Sequence, residues 1–150
     1  MGSNCNVYGG AQIDAGATVG AHTEVYGGAH IYADATVGKA CSIYGSCEIL
    51  ANAKVGNGLQ CYTGGRIHGG STVGNDCHVY GTAEILSGAN VEDECHIYAG
   101  ALIKARANIG KTAHVYDAIV EEGGCVSAGE QVFGGAVFPK IGRASCRERV

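Results

Sequence analysis

The chain has 150 residues, a formal net charge of −4, 26 glycines, one proline and no tryptophan. That length suits a single domain, and the scattered lysines and arginines form no basic stripe of the kind nucleic-acid binding needs. No apolar run reaches the roughly 20 residues of a membrane span, and the opening MGSNCNVYGG lacks the basic and apolar segments of a secretory signal. A cytoplasmic protein with no nucleic-acid or membrane partner is expected.

From Val7 onward the sequence is one repeat. Steps of six lead to Ile13 and Val19, then through Val25, Ile31, Val37, Ile43, Ile49 and Val55. They continue through Cys61, Ile67, Val73, Val79, Ile85, Val91, Ile97, Ile103, Ile109 and Val115. Of these nineteen positions only Cys61 is neither valine nor isoleucine. A small residue follows nearly every aliphatic by four places, as at Ala11, Ala17, Thr23 and Ala29, often after a turn former such as Gly10, Gly16 or Asp34. The small and aliphatic residues of a hexad are two apart, so both face one side of a short strand. Such a strand cannot bury that side alone, and coiling and stacking the chain closes a core.

A period of 18 sets the coil. Tyrosine follows the aliphatic at 8, 26, 44, 62, 80, 98 and 116, so three hexads make one turn of a triangular prism. The interval from Tyr116 to Phe133 is 17, so one residue is missing from that coil, and Glu130 falls in a small, mostly apolar column. A buried unpaired carboxylate is costly, so distortion or exposure is expected there. The final ten residues, IGRASCRERV at 141–150, break the repeat and read as the conceptual translation of a sequencing adapter. Residues 1–140 are then a single β-helix domain and a fragment of a longer chain.

The hexad, with motifs such as VGKACS at 37–42 and VGNDCH at 73–78, resembles the hexapeptide-repeat proteins over residues 5–138 or so. That resemblance implies an all-β, left-handed parallel β-helix of about seven coils, of the uninterrupted-repeat type. The left hand comes from the resemblance alone, since the usual crossover is right-handed.

Stacking turns each hexad position into a column. Tyr80, Tyr98 and Tyr116 belong to the tyrosine column, and His78, His96 and His114 stand beside them on the outer face. This is the candidate surface site. The tyrosines are expected to stack between coils and to offer a patch for a partner, a sugar or another copy. The histidines read as a ladder without metal, because in-register side chains point alike and do not converge on one ion. Cys5, Cys41, Cys47, Cys77 and Cys95 take the small inward position and read as reduced core residues; Cys77 and Cys95, in adjacent coils, could pair. Thr18, Thr36 and Thr72 share the third face with Lys54, Asn90 and Asn108, too irregular for an ice-binding array. Tyr32, Leu50, Leu86 and Leu102 lie on the outside of the second.

Many hexapeptide-repeat proteins are acyltransferases that use coenzyme A or acyl carrier protein, form trimers with sites between subunits, and carry the site on a protruding loop. No such loop interrupts these hexads. The sequence therefore favours a structural or binding rod that self-associates, as a trimer or end to end, with no cofactor evident. The alternative is an acyltransferase fragment lacking its catalytic loop or C-terminal part, which would use coenzyme A. No catalytic residue is assigned.

Overall fold

In the computed structural model, residues 1–138 are described. They form short parallel strands in three sheets of eight, eight and seven strands, and no helix. The first sheet starts at Asn6–Val7, the second at Gln12–Ile13 and the third at Thr18–Val19. Each strand pairs with the strand three places on, so successive strands build the three walls of a prism. The fold is a left-handed parallel β-helix with 18-residue coils.

The aliphatic column lies inside, as its spacing requires. Ile31, Ile43, Ile67, Ile85, Ile97 and Ile109 are fully buried, with the small residues Ala29, Cys41, Ala53, Cys77 and Ala89 beside them. Backbone hydrogen bonds run from coil to coil, such as Tyr26 N–H to the Ile43 carbonyl at 2.9 Å and Tyr80 N–H to the Ile97 carbonyl at 2.9 Å. Apolar burial and a satisfied ladder together hold the coils in register.

The one-residue slip is real and local. Tyr98 pairs with Tyr116, 18 residues on, whereas Leu102 pairs with Ile119, 17 on. The deletion therefore lies in the corner at Asp117, which takes a positive φ of 48°. Glu130 is exposed, and its Oε1 accepts the Ser127 backbone N–H at 2.8 Å. The predicted cost of burying that carboxylate is avoided by exposure.

Several corners use residues that the turn rule does not favour. Positive φ occurs at Thr63 (60°), Thr112 (61°), Ala40 (56°) and Ala99 (58°) as well as at Asp34 and Asn52. A threonine there costs on the order of 1–2 kcal/mol. The coil ladder overrides that local preference: Ala40 N–H donates to the Ala21 carbonyl at 2.9 Å, and Thr112 N–H to Asp93 at 3.0 Å.

A different corner needs glycine for space. A Cβ at Gly38 would lie 2.5 Å from Asn57 Oδ1 and 2.6 Å from the Gly56 carbonyl carbon. Asn57 sits there because its Oδ1 accepts the Lys39 N–H at 2.8 Å, and Asn75 and Asp93 repeat the bond one coil on each time. The cysteines of the neighbouring inner column are donors as well as core. Cys5, Cys41, Cys77 and Cys95 donate their thiols to the carbonyls of Gly20, Gly56, Glu92 and Gly110 at 3.0–3.4 Å. Thr23 does the same with its hydroxyl, to Gly38 at 3.1 Å. Cys77 and Cys95 are free thiols.

Candidate functional site

The strands His78–Val79, His96–Tyr98 and His114–Tyr116 lie side by side in the first sheet. Their middle residues Val79, Ile97 and Val115 are fully buried, so alternation turns each histidine and tyrosine outward. His78 stacks on His96 with centroids 4.4 Å apart and planes 11° apart, and His96 on His114 at 4.4 Å and 3°. Parallel rings carry their nitrogens in parallel. Among the described residues no group of three or more His, Cys, Asp or Glu side chains could hold a metal ion.

The tyrosines form the second rail. From Tyr8 to Tyr98 successive rings stack at 4.8–5.1 Å. The stack breaks once, where Tyr116 stands edge-on to Tyr98 at 62°, and resumes with Phe133 at 3°. The break falls next to the shortened corner at Asp117. Because ring faces are occupied by neighbouring rings, the column presents ring edges and hydroxyls to the outside.

Those hydroxyls organise the histidines. Tyr80 Oη donates to Gln60 Oε1 at 2.9 Å and lies 3.1 Å from His78 Nδ1. A tyrosine has one hydrogen to give. With that hydrogen on Gln60, Tyr80 accepts from His78 Nδ1–H, which leaves Nε2 as the unprotonated nitrogen. His96 Nδ1 bonds Tyr98 Oη, and His114 Nδ1 bonds Tyr116 Oη at 3.3 Å. Burial holds the His78 pKa below the ordinary imidazole range, against the opposing pull of Asp76. Burial, then the charges of His78 and His114, lower that of His96. His78 and His96 are thereby biased toward the neutral imidazole, the state a general base needs.

Around the corner from this face lies a recess of about 370 Å³ lined by Thr72, Asn90, Glu92, Asp93 and Lys111, among others. Glu92 stands in the column that holds Gly20, Gly38, Gly56, Gly74 and Gly110 in other coils. Its Oε2 accepts the Lys111 backbone N–H at 3.1 Å. Asp93 precedes His96 by three residues and Lys111 precedes His114 by three, so recess and histidine face share one corner.

The spacing of the sequence placed all six candidate side chains on one face, and the structure brings them together. It did not find Gln60, whose role depends on a tyrosine hydroxyl one coil on. Nor did it find the recess, although Glu92 is a visible break in a glycine column.

Over the described residues the fold is thus a left-handed parallel β-helix with a histidine–tyrosine face. No protein-family model and no curated protein sequence matches the chain. Solved structures do match. UDP-N-acetylglucosamine O-acyltransferase from Moraxella catarrhalis RH4 is similar at 15% identity and a TM-score of 0.51, over 95% of this chain and 67% of that one. UDP-N-acetylglucosamine acyltransferase from Francisella novicida aligns at 12% identity and a TM-score of 0.48, over 85% of this chain and 63% of that one. The chain spans about two thirds of the length of these proteins. At such identity the likeness is one of fold, and residue roles do not carry across.

Proposed function

We propose that this chain is the repeat domain of an acyltransferase that moves an acyl group from a thioester, of coenzyme A or acyl carrier protein, to a hydroxyl. The carrying observation is the Gln60–Tyr80–His78 chain, which leaves an unprotonated Nε2 on a half-buried, neutral imidazole. That nitrogen takes the proton from the acceptor hydroxyl as its oxygen attacks the thioester carbonyl. The tetrahedral intermediate collapses, the C–S bond breaks, and the imidazolium returns the proton to the leaving thiolate. Tyr80 accepts the Nδ1–H throughout and stabilises the transient imidazolium. The fold shared with an acyltransferase on UDP-N-acetylglucosamine makes a sugar nucleotide the first acceptor to try.

The histidine face is a flat wall with a recess beside it, so a second copy supplying the opposite wall would complete the site, as in a trimer. A cytoplasmic setting, where acyl thioesters are made and thiols stay reduced, fits the free thiols of Cys5, Cys41, Cys47, Cys61, Cys77 and Cys95, whereas Cys125 is disulfide-bonded. The competing reading, a rigid structural or binding rod, is favoured by one observation: among the described residues the coils run without a protruding loop.

The test is turnover. The full chain is incubated with acyl-coenzyme A or acyl carrier protein donors of increasing length and UDP-N-acetylglucosamine, and acylated product is followed by mass spectrometry. His78→Gln is expected to lower the rate by about 100-fold or more. A wild type inert with every donor, or a His78→Gln variant as active as wild type, overturns the proposal.

A further inference from the structure

Three departures from the repeat meet at one point in the core. Cys61 is the one residue of its nineteen-membered column that is neither valine nor isoleucine. Leu59, beside it, is large where Cys41 and Cys77 are small, and Gly65 stands where adjacent coils have Cys47 and Ala83. The result is a pair of sulfurs in direct contact: Cys61 Sγ lies 2.7 Å from Cys47 Sγ, and both residues are fully buried. Gly65 helps to make the room, since a Cβ there would lie 3.1 Å from Cys61 Sγ and 3.0 Å from Val79 Cγ1. Cys5, Cys41, Cys77 and Cys95 cap corner carbonyls, and Cys77 and Cys95 also interact with each other through their thiols. Cys47 and Cys61 cap none of those corner carbonyls, and their sulfurs are turned onto each other.

We propose that Cys47 and Cys61 form an oxidisable dithiol that closes to an intramolecular disulfide, tying the second-sheet strand Glu48–Ile49 to the first-sheet strand Gln60–Cys61. The oxidant is a small-molecule disulfide such as oxidised glutathione. One protein thiolate attacks it, forms a mixed disulfide and releases one glutathione thiolate. The second protein thiolate attacks the protein sulfur of that mixed disulfide and releases the other. Two protein thiols and one small disulfide become one protein disulfide and two small thiols; the two protons lost by the protein end on the released thiolates. Both thiols are shielded in the closed solenoid, so the exchange proceeds while the coils are open, during folding or local opening. In a glutathione-reduced compartment the pair rests as thiols.

The two cysteines lie in separate tryptic peptides, 40–54 and 55–66, whereas Cys77 and Cys95 share the peptide 67–104. The full chain, carrying Cys41→Ala so that Cys47 is the single thiol of its peptide, is refolded from the reduced, denatured state in mixed reduced and oxidised glutathione. It is quenched in acid, alkylated and digested. The expected product is peptide 40–54 joined to 55–66, lighter by about 2 Da than the sum of the two. Cys61→Val, which restores the residue type of its column, abolishes that species and still gives the β-helix circular dichroism spectrum. Recovery of both peptides as alkylated monomers overturns the proposal, as does preferential closure of Cys77 with Cys95 or an even scramble of all pairings.

Discussion

Leu59 and Cys61 occupy the two inward positions of one strand with large and small exchanged. Equivalent strands read Cys41 then Ile43, and Cys77 then Val79. All six of these side chains are buried, with at most 1% exposed, so Leu59 fills the volume that an isoleucine at position 61 would take. Leu59→Ala removes a fully buried side chain and leaves a cavity, at a cost of about 2–5 kcal/mol. Cys61→Ile adds carbon to a filled core, at about 1–3 kcal/mol. Together the two changes recreate the pattern of the neighbouring strands. The double variant should therefore be more stable than the sum of the single losses by about 2 kcal/mol or more, where independent sites agree to within about 0.5 kcal/mol. Urea unfolding followed by circular dichroism supplies the four free energies of the cycle. Additive losses would refute the idea that the two residues share one volume.

Three further outcomes follow from the same structure. The folded pKa values of His78 and His96 are lowered by burial, and that of His96 further by its neighbouring imidazoles; the unfolded chain then protonates first, so stability is level above about pH 6.5 and falls below it. The drop in melting temperature between about pH 7.5 and 5 should be smaller in His96→Gln, and an equal drop refutes the assignment. Gly38→Ala places a methyl against Asn57 and the Gly56 carbonyl, and should cost about 1–3 kcal/mol in urea unfolding, whereas unchanged stability would show that the corner gives way. Thr63→Asn, at a φ of 60°, should gain about 0.5–1 kcal/mol, and a loss would mean that the threonine makes a contact worth more than its strain.

The fold was legible because a β-helix repeats one packing problem. Val19, Ile31 and Ile43 must be inward aliphatics for the same reason, so period six marks strands and period 18 marks coils. Even the deletion near Asp117 could be read from the 17-residue step between Tyr116 and Phe133. What resisted reading was set by contacts between coils. Thr112 adopts a conformation that its side chain disfavours, because its ladder bond to the Asp93 carbonyl outweighs it. Cys47 and Cys61 are 14 residues apart, off the 18-residue register, so no column joins them. Gln60 looks like any outward polar residue until the Tyr80 hydroxyl is placed against it. The histidines were visible as candidates, but which nitrogen carries the proton depends on that one bond.

That proton tests the functional account most directly. A long-range nitrogen–proton correlation spectrum of the uniformly ¹⁵N-labelled chain, with His78 assigned by comparison with His78→Gln, reports which ring nitrogen is protonated. The account predicts His78 protonated at Nδ1 with a bare Nε2 above about pH 7, and a change of tautomer population in Gln60→Leu. A His78 protonated at Nε2 in the wild type would contradict it, because the nitrogen facing the acceptor would then have no lone pair to offer.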